Sequence, residues 1–288
     1  MKRFLSVLCV LFGLACAGHE AGATVPFTPG AEWLDTDGHP INAHGGGILY
    51  HEGVYYWYGE LKLGMTYLPR VNKTWGGTRV LAGGVSVYSS TDLHTWKNEG
   101  VALPANRENP DDDLATENII ERPKVIYNAR TKKFVMWFHQ DSPNYQAARS
   151  GVAISDTPTG PFKYLGAFRP NAGAKPLNVT AADLAPAPGN LFARDLPGGQ
   201  MARDMTLFVD DDGTAYQFYA SENNQTMHVS QLTDDYLRPA GKYARIFIGR
   251  AIEAPAVFKH AGRYYLIGSG CTGWDPNPAH SAVADSIF

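Results

Sequence analysis

Cysteine is nearly absent from this chain: three occur among 288 residues, and two of them, Cys9 and Cys16, fall close to the start. If that start is removed on export, Cys271 stands alone, which excludes an intrachain disulfide and a thiolate metal site. With no histidine base close in sequence, Cys271 reads as a small buried hydrophobe rather than a nucleophile. A surplus of one charge is also missing, since 25 Lys+Arg face 28 Asp+Glu for a formal net charge of −3, and no basic run occurs. That balance excludes a nucleic-acid or anionic-membrane partner and points to a neutral ligand. Helical periodicity of useful length is absent too. The one apolar run, Phe4 to Ala17, is too short for a stable membrane span.

That run follows Met1-Lys2-Arg3, and the pair has the charged start and short apolar centre of a secretory signal. We expect residues 1–23 to be a signal peptide and residues 24–288 to be one exported domain. Cleavage is expected after the small-x-small patterns ending at Ala17 or Ala23, with lipidation at Cys16 as the less favoured alternative.

What the sequence does contain is a repeated strand pair. Ile252-Glu253-Ala254-Pro255-Ala256-Val257-Phe258 returns through Gly262-Arg263-Tyr264-Tyr265-Leu266-Ile267, an acid followed by alternating apolar positions, a polar turn and an aromatic return strand. Glu121-Arg122-Pro123-Lys124-Val125-Ile126 returns through Lys133-Phe134-Val135-Met136-Trp137-Phe138, and Asp204-Met205-Thr206-Leu207-Phe208 through Gly213-Thr214-Ala215-Tyr216-Gln217-Phe218. The first copy, Gly46-Gly47-Ile48-Leu49-Tyr50 with Gly53-Val54-Tyr55-Tyr56-Trp57-Tyr58, opens without a carboxylate. Further strand candidates follow each pair, among them residues 84–90, 92–96 and 100–103 in the first unit. Residues 170–200, rich in Ala, Pro, Gly and Asn, read as a loop between the second and third units. Short strands in repeated groups of about four predict an all-β propeller, with a β-sandwich as the alternative. Stacked around an axis, the copies would bring Glu121, Asp204 and Glu253 into one central site. Such carboxylates can divide into acid and base there, because burial and mutual repulsion separate their proton affinities.

At these residues the chain resembles glycoside hydrolase family 43, five-bladed propellers acting on arabinose-, xylose- or galactose-containing polysaccharides. The resemblance spans residues 40–288 and is most specific at Asp204 ahead of Leu207-Phe208-Val209-Asp210-Asp211-Asp212-Gly213 and at Glu253-Ala254-Pro255. It implies that Glu253 is the general acid and that Asp204 orients it and tunes its pKa, in an inverting hydrolysis of a glycosidic bond. The family's usual base, an Asp opening blade one, is replaced here by Ala43-His44-Gly45-Gly46-Gly47. That departure, with Tyr55-Tyr56-Trp57-Tyr58-Gly59-Glu60 and Glu121-Arg122-Pro123-Lys124, resembles the branch of exo-β-1,3-galactanases and related galactosidases and arabinofuranosidases. Glu121 then becomes the nearest substitute, as base or as substrate contact. A non-catalytic, carbohydrate-binding propeller is the alternative that the missing Asp raises.

The expected partner is an oligo- or polysaccharide. His44, Trp57, Trp137 and Trp274 are the candidate substrate contacts, weighed against structural roles for all four. No cofactor is expected to be required, although the resemblance admits a structural calcium near an axial histidine. Asp210-Asp211-Asp212-Gly213 reads as a hairpin turn rather than a calcium loop. Three units are complete and the fourth stops at Phe288 with its outermost strand unwritten, so we expect a truncated version of a longer reading frame that folds poorly alone.

Overall fold

The structure, a computed structural model, describes residues 26–64, 80–273 and 275–288. The expected signal segment, the aromatic insert carrying Tyr67 and Trp75, and Trp274 lie outside these residues. Among the described residues, four antiparallel sheets follow one another along the chain, three of four strands and one of three, each in simple meander order. Blade one holds β1 (His44–His51), β2 (Val54–Lys62), β3 (Ala82–Ser90) and β4 (Lys97–Pro104). Blade two holds β5 (Ile119–Asn128), β6 (Lys133–Asp141), β7 (Arg149–Ser155) and β8 (Lys163–Phe168). Blade three holds β9 (Met205–Val209), β10 (Ala215–Ser221), β11 (Thr226–Leu232) and β12 (Pro239–Ile246). Blade four holds β13 (Ile252–His260), β14 (Arg263–Gly270) and β15 (His280–Ala284). The architecture is the expected all-β propeller, shown here by four blades.

Local chemistry sets the hairpins. His51 pairs with Val54 and His260 with Arg263, leaving two-residue turns at Glu52-Gly53 and Ala261-Gly262 with all four φ angles positive. Such turns match the right-handed twist of the flanking strands. Alternation then sorts side chains between neighbouring blades. Along β6, Phe134, Met136 and Phe138 face the core shared with blade one, while Val135 and Trp137 face the core shared with blade three. A third core, with Phe218, Met227, Val229, Ile252 and Leu266, joins blades three and four. Each fully buried large apolar side chain contributes about 1.5–3 kcal/mol relative to exposure.

Two sequence expectations need correcting. Residues 92–96 form the turn between β3 and β4, because Asp92 Oδ1 accepts the N–H groups of His94 and Thr95 and so closes the chain on itself. Residues 170–200 are no plain loop: α1 (Ala181–Leu184) starts on a Thr180/Asp183 capping box, and α2 (Leu191–Asp195) starts on Asn190. Each is about one turn long, too short for its periodicity to show in sequence. Both pack on blade three, where Arg245 reaches Asp183 at 2.6 Å and lies 4.5 Å over the Phe192 ring.

The inner strands β1, β5, β9 and β13 line an axial cavity of about 920 Å³. At one end of three of them the same irregularity recurs: a bulge follows His44, Glu121 and Glu253, and the next residue, Gly45, Arg122 or Ala254, takes a φ of 56°, 55° or 47°. A bulge there bends the strand and re-aims the preceding side chain. The acids therefore leave the sheet where the blades converge.

Candidate active site

A cavity of about 240 Å³ opens at that converging end, lined by Glu121, Arg122, His139, Tyr145, Arg203, Asp204, Asn224, Glu253, Cys271 and Gly273. The three carboxylates expected to meet are all present. They arrive from three blades and stand in three different electrostatic settings.

Glu121 has both oxygens engaged. Tyr145 Oη donates to Oε1 at 2.8 Å, and His139 Nδ1 lies 3.4 Å from Oε2. The other ring nitrogen, His139 Nε2, meets Asp141 Oδ2 at 2.9 Å. Burial alone would strip the imidazole of its second proton, but the two flanking carboxylates outweigh burial and push its pKa up to about 9. The same pairing acts on Glu121: burial raises its pKa, and the hydrogen bond and charge of His139 override that and hold it below the usual carboxylate range. Asp141 also accepts the backbone N–H groups of Ser142 and Ala148, at 2.9 and 2.8 Å, and so shapes the loop that carries Tyr145.

Asp204 is clamped. Arg122 reaches its Oδ2 at 2.9 Å, and the N–H of Ala254, next to Glu253, donates to the same oxygen at 3.1 Å. Arg122 is itself fixed from blade one, because its backbone N–H donates to Glu60 Oε1 at 3.0 Å. Glu60 to Arg122, Arg122 to Asp204 and Asp204 to Ala254 thus make one polar chain through all four blades. Glu60 is 3% exposed and lies 2.7 Å from Lys62 Nζ; a Cβ on Gly45 would stand 2.5 Å from its Oε1. Glycine is therefore required at position 45 both for its left-handed φ and for this close approach.

Glu253 is the carboxylate whose neighbours favour the protonated form. Burial raises its pKa first and the nearby charge of Asp204 adds to this, against smaller opposing effects of the Cys271 thiol, Arg122 and Arg203. Asn224 Nδ2 donates to its Oε1 at 2.7 Å. One cavity thus joins a carboxyl group kept ready to give a proton to a carboxylate kept ionised.

Glu121, His139 and Asp204 bring one ligand atom each within 4.8 Å of one another. The donor set does not fit calcium, which takes six to eight oxygen ligands. Here an imidazolium and the guanidinium of Arg122 already answer the two carboxylates. The aspartate run 210–212 is a hairpin turn, as expected: Gly213 N–H bonds to Asp210 O, and Lys259 Nζ reaches Asp210 at 2.6 Å and Asp211 at 2.8 Å.

Several sequence candidates are placed elsewhere. Trp137 is fully buried between blades two and three and donates Nε1–H to Tyr236 O at 2.8 Å, so no sugar can stack on it. Trp57 packs between Trp33 and Trp96, with ring centroids 5.5 and 5.3 Å away, and borders the axial cavity rather than the site. His44 is exposed and is not among the residues lining either cavity. Cys271 corrects the opposite way: it is exposed and lines the site together with Glu253, one residue past the end of β14 at Gly270. His139, Tyr145, Arg203 and Asn224 were missed. A polarity break carried part of the signal, since the apolar run of β6 gives way to His139-Gln140-Asp141 where the strand nears the axis.

The comparisons agree with this geometry. The family model described as glycosyl hydrolases family 43 matches residues 186–287. A GH43 β-1,3-galactosidase solved with galactodeoxynojirimycin is 48% identical, with a TM-score of 0.80 over 89% of this chain and 77% of its own. An exo-β-1,3-galactanase from Phanerochaete chrysosporium solved with galactose is 37% identical, with a TM-score of 0.70 over 89% of this chain and 50% of its own. One from Clostridium thermocellum is 40% identical, with a TM-score of 0.70 over 90% and 49%. The chain thus spans about three quarters of the first relative and about half of the other two. No match was found among curated proteins. Identity of 48% across most of a relative's length, beside a family model matching residues 186–287, establishes that the chain belongs to glycosyl hydrolase family 43 and is a glycosidase.

Proposed function

We propose that the protein is an exported, exo-acting β-1,3-galactosidase that removes terminal galactose from arabinogalactan-type side chains by an inverting mechanism. The carrying observation is the split between Glu253, raised by burial and by Asp204, and Glu121, lowered by His139, within a cavity of about 240 Å³. That volume suits one sugar ring. Environments that separate two carboxyl groups assign the acid to the raised one. Glu253 gives its proton to the glycosidic oxygen as the C–O bond breaks, and Asp204, held by Arg122 and Ala254, raises its proton affinity.

Glu121 serves as a substrate contact and not as the base. A useful base has a pKa near the working pH, whereas Glu121 is held far below it with both oxygens engaged. Its fixed negative charge suits a sugar hydroxyl. We place the water-activating group outside Glu121, Asp204 and Glu253. We read the ring as five-bladed, supported by the wide axial cavity between the four inner strands.

The test offers β-1,3-galactan, aryl β-galactosides and aryl arabinosides to the full-length protein and follows the first product by NMR. Release of galactose as the α-anomer supports the proposal. The β-anomer would exclude inversion, and binding without product would favour a carbohydrate-binding propeller.

A further inference from the structure

The hairpin turn between β10 and β11 is built unlike the others. Glu222, Asn223 and Asn224 take φ angles of 51°, 56° and 66°, three successive non-glycine residues in the left-handed region. Asn tolerates this region better than most residues. Glu222 is held there by buried contacts. Arg245 grips Glu222 with two hydrogen bonds of 2.6 and 2.8 Å, His228 Nε2 meets Oε1 at 3.0 Å and Thr226 Oγ1 donates to Oε2 at 3.1 Å. Arg245 is held in turn by Asp183 of α1, so the helical insert braces the turn.

The free side of this turn faces the cavity. Asn224 donates its amide to Glu253 Oε1 at 2.7 Å, while Arg203 donates to Asn224 Oδ1 at 3.4 Å and to Asn223 Oδ1 at 2.9 Å. Since a guanidinium can only donate, it fixes which end of the Asn224 amide faces Glu253. A donor on Oε1 favours that oxygen as the carbonyl oxygen of the protonated acid and so favours the transferable proton on Oε2.

We propose that Asn224 is a positioning residue for Glu253, selecting the oxygen that carries the proton, and that the buried Glu222–Arg245 pair holds it there. This rests on the reading of Glu253 as the general acid. As the glycosidic C–O bond breaks, its electron pair stays on the leaving oxygen, which takes the proton from Oε2. Glu253 is left as a carboxylate, and the Asn224 hydrogen bond strengthens as the charge forms. Its contribution therefore falls on the rate of bond cleavage rather than on binding.

The experiment measures kcat and KM of the full-length protein on phenyl and 2,4-dinitrophenyl β-galactosides, for wild type, Asn224→Ala, Glu222→Gln, Glu253→Gln and Asn224→Ala/Glu253→Gln, with a melting temperature for each. Asn224→Ala is expected to lower kcat about ten- to a hundredfold on the phenyl substrate. On the dinitrophenyl substrate, which needs no protonation, the loss should be under about threefold, with KM unchanged on both. Glu222→Gln should show the same leaving-group pattern more weakly, and the double variant should lose no more than Glu253→Gln alone. An Asn224→Ala loss that is equal for both leaving groups, or that falls on KM, overturns the positioning role. A Glu253→Gln variant without leaving-group dependence overturns the acid assignment instead, a result separable from the first.

Discussion

Blades one and two open with the same backbone and opposite chemistry. In both, a bulge follows the opening residue, the next residue is left-handed, and the opening residue pairs across to the second strand: His44 with Glu60 in blade one, Glu121 with His139 in blade two. The histidine and the glutamate have changed strands. In blade two the glutamate stands on the inner strand, lines the cavity and is held ionised by the histidine behind it. In blade one the glutamate stands one strand out, buried against Lys62, and its Oε1 is spent on the backbone of Arg122. Burial and then the charge of Glu121 push the Glu60 pKa up. The carboxylate missing from the opening of blade one thus stands one strand out. It supports the site from behind instead of acting in it.

The sharpest way to break this comparison is to remove the displaced acid. Glu60→Ala removes the carboxylate that lies 2.7 Å from the largely buried Lys62 amine and takes away the acceptor of the Arg122 N–H. Loss of one partner of a buried pair costs about 3–5 kcal/mol, read as a lowered urea midpoint. Glu60→Gln keeps an acceptor for Arg122 and should cost only about 1–3 kcal/mol. Equal effects of the two would show that Arg122 does not depend on Glu60.

Next in size is Trp137, which the structure makes core rather than subsite. Trp137→Phe removes volume and the bond to Tyr236 O, for an expected loss of about 1–3 kcal/mol with KM unchanged. A raised KM at unchanged stability would restore the sugar-stacking role.

The imidazolium of blade two gives a pH signature. His139 is raised to about 9, so its stabilisation is fully present below its ordinary value near 6.5 and is lost as pH rises through about 9. The melting temperature should decline across that window. In Glu121→Gln the decline should finish at lower pH, since one of the two carboxylates that hold the proton is gone. An unshifted decline would separate His139 from Glu121. The smallest effect belongs to His44: His44→Asn should change kcat/KM less than about twofold, as expected for an exposed residue that does not line the site.

Much of the fold could be read from sequence because propeller strands announce themselves through period-two alternation and repeated openings, and the three carboxylates marked those openings. The rest depends on contacts that alternation does not encode. Trp57 and Trp137 read mostly as core but also as candidate sugar platforms, because aromatic residues suit both, and only burial separates the two roles. Asn224 was invisible as a partner of Glu253 because it sits in a turn 29 residues earlier and meets the acid only after blades three and four pack. Cys271 looked buried by residue type, yet the end of β14 places it in the cavity.

On the proposed mechanism Glu253, raised by burial and by Asp204, is the proton donor to the leaving sugar. The most direct test is the pH dependence of kcat/KM on β-1,3-galactan for the full-length protein and its Glu253→Gln variant. The variant should lose about 10²–10⁴-fold, and the alkaline limb that reports the acid in wild type should disappear. Activity within twofold of wild type, with that limb intact, would contradict it.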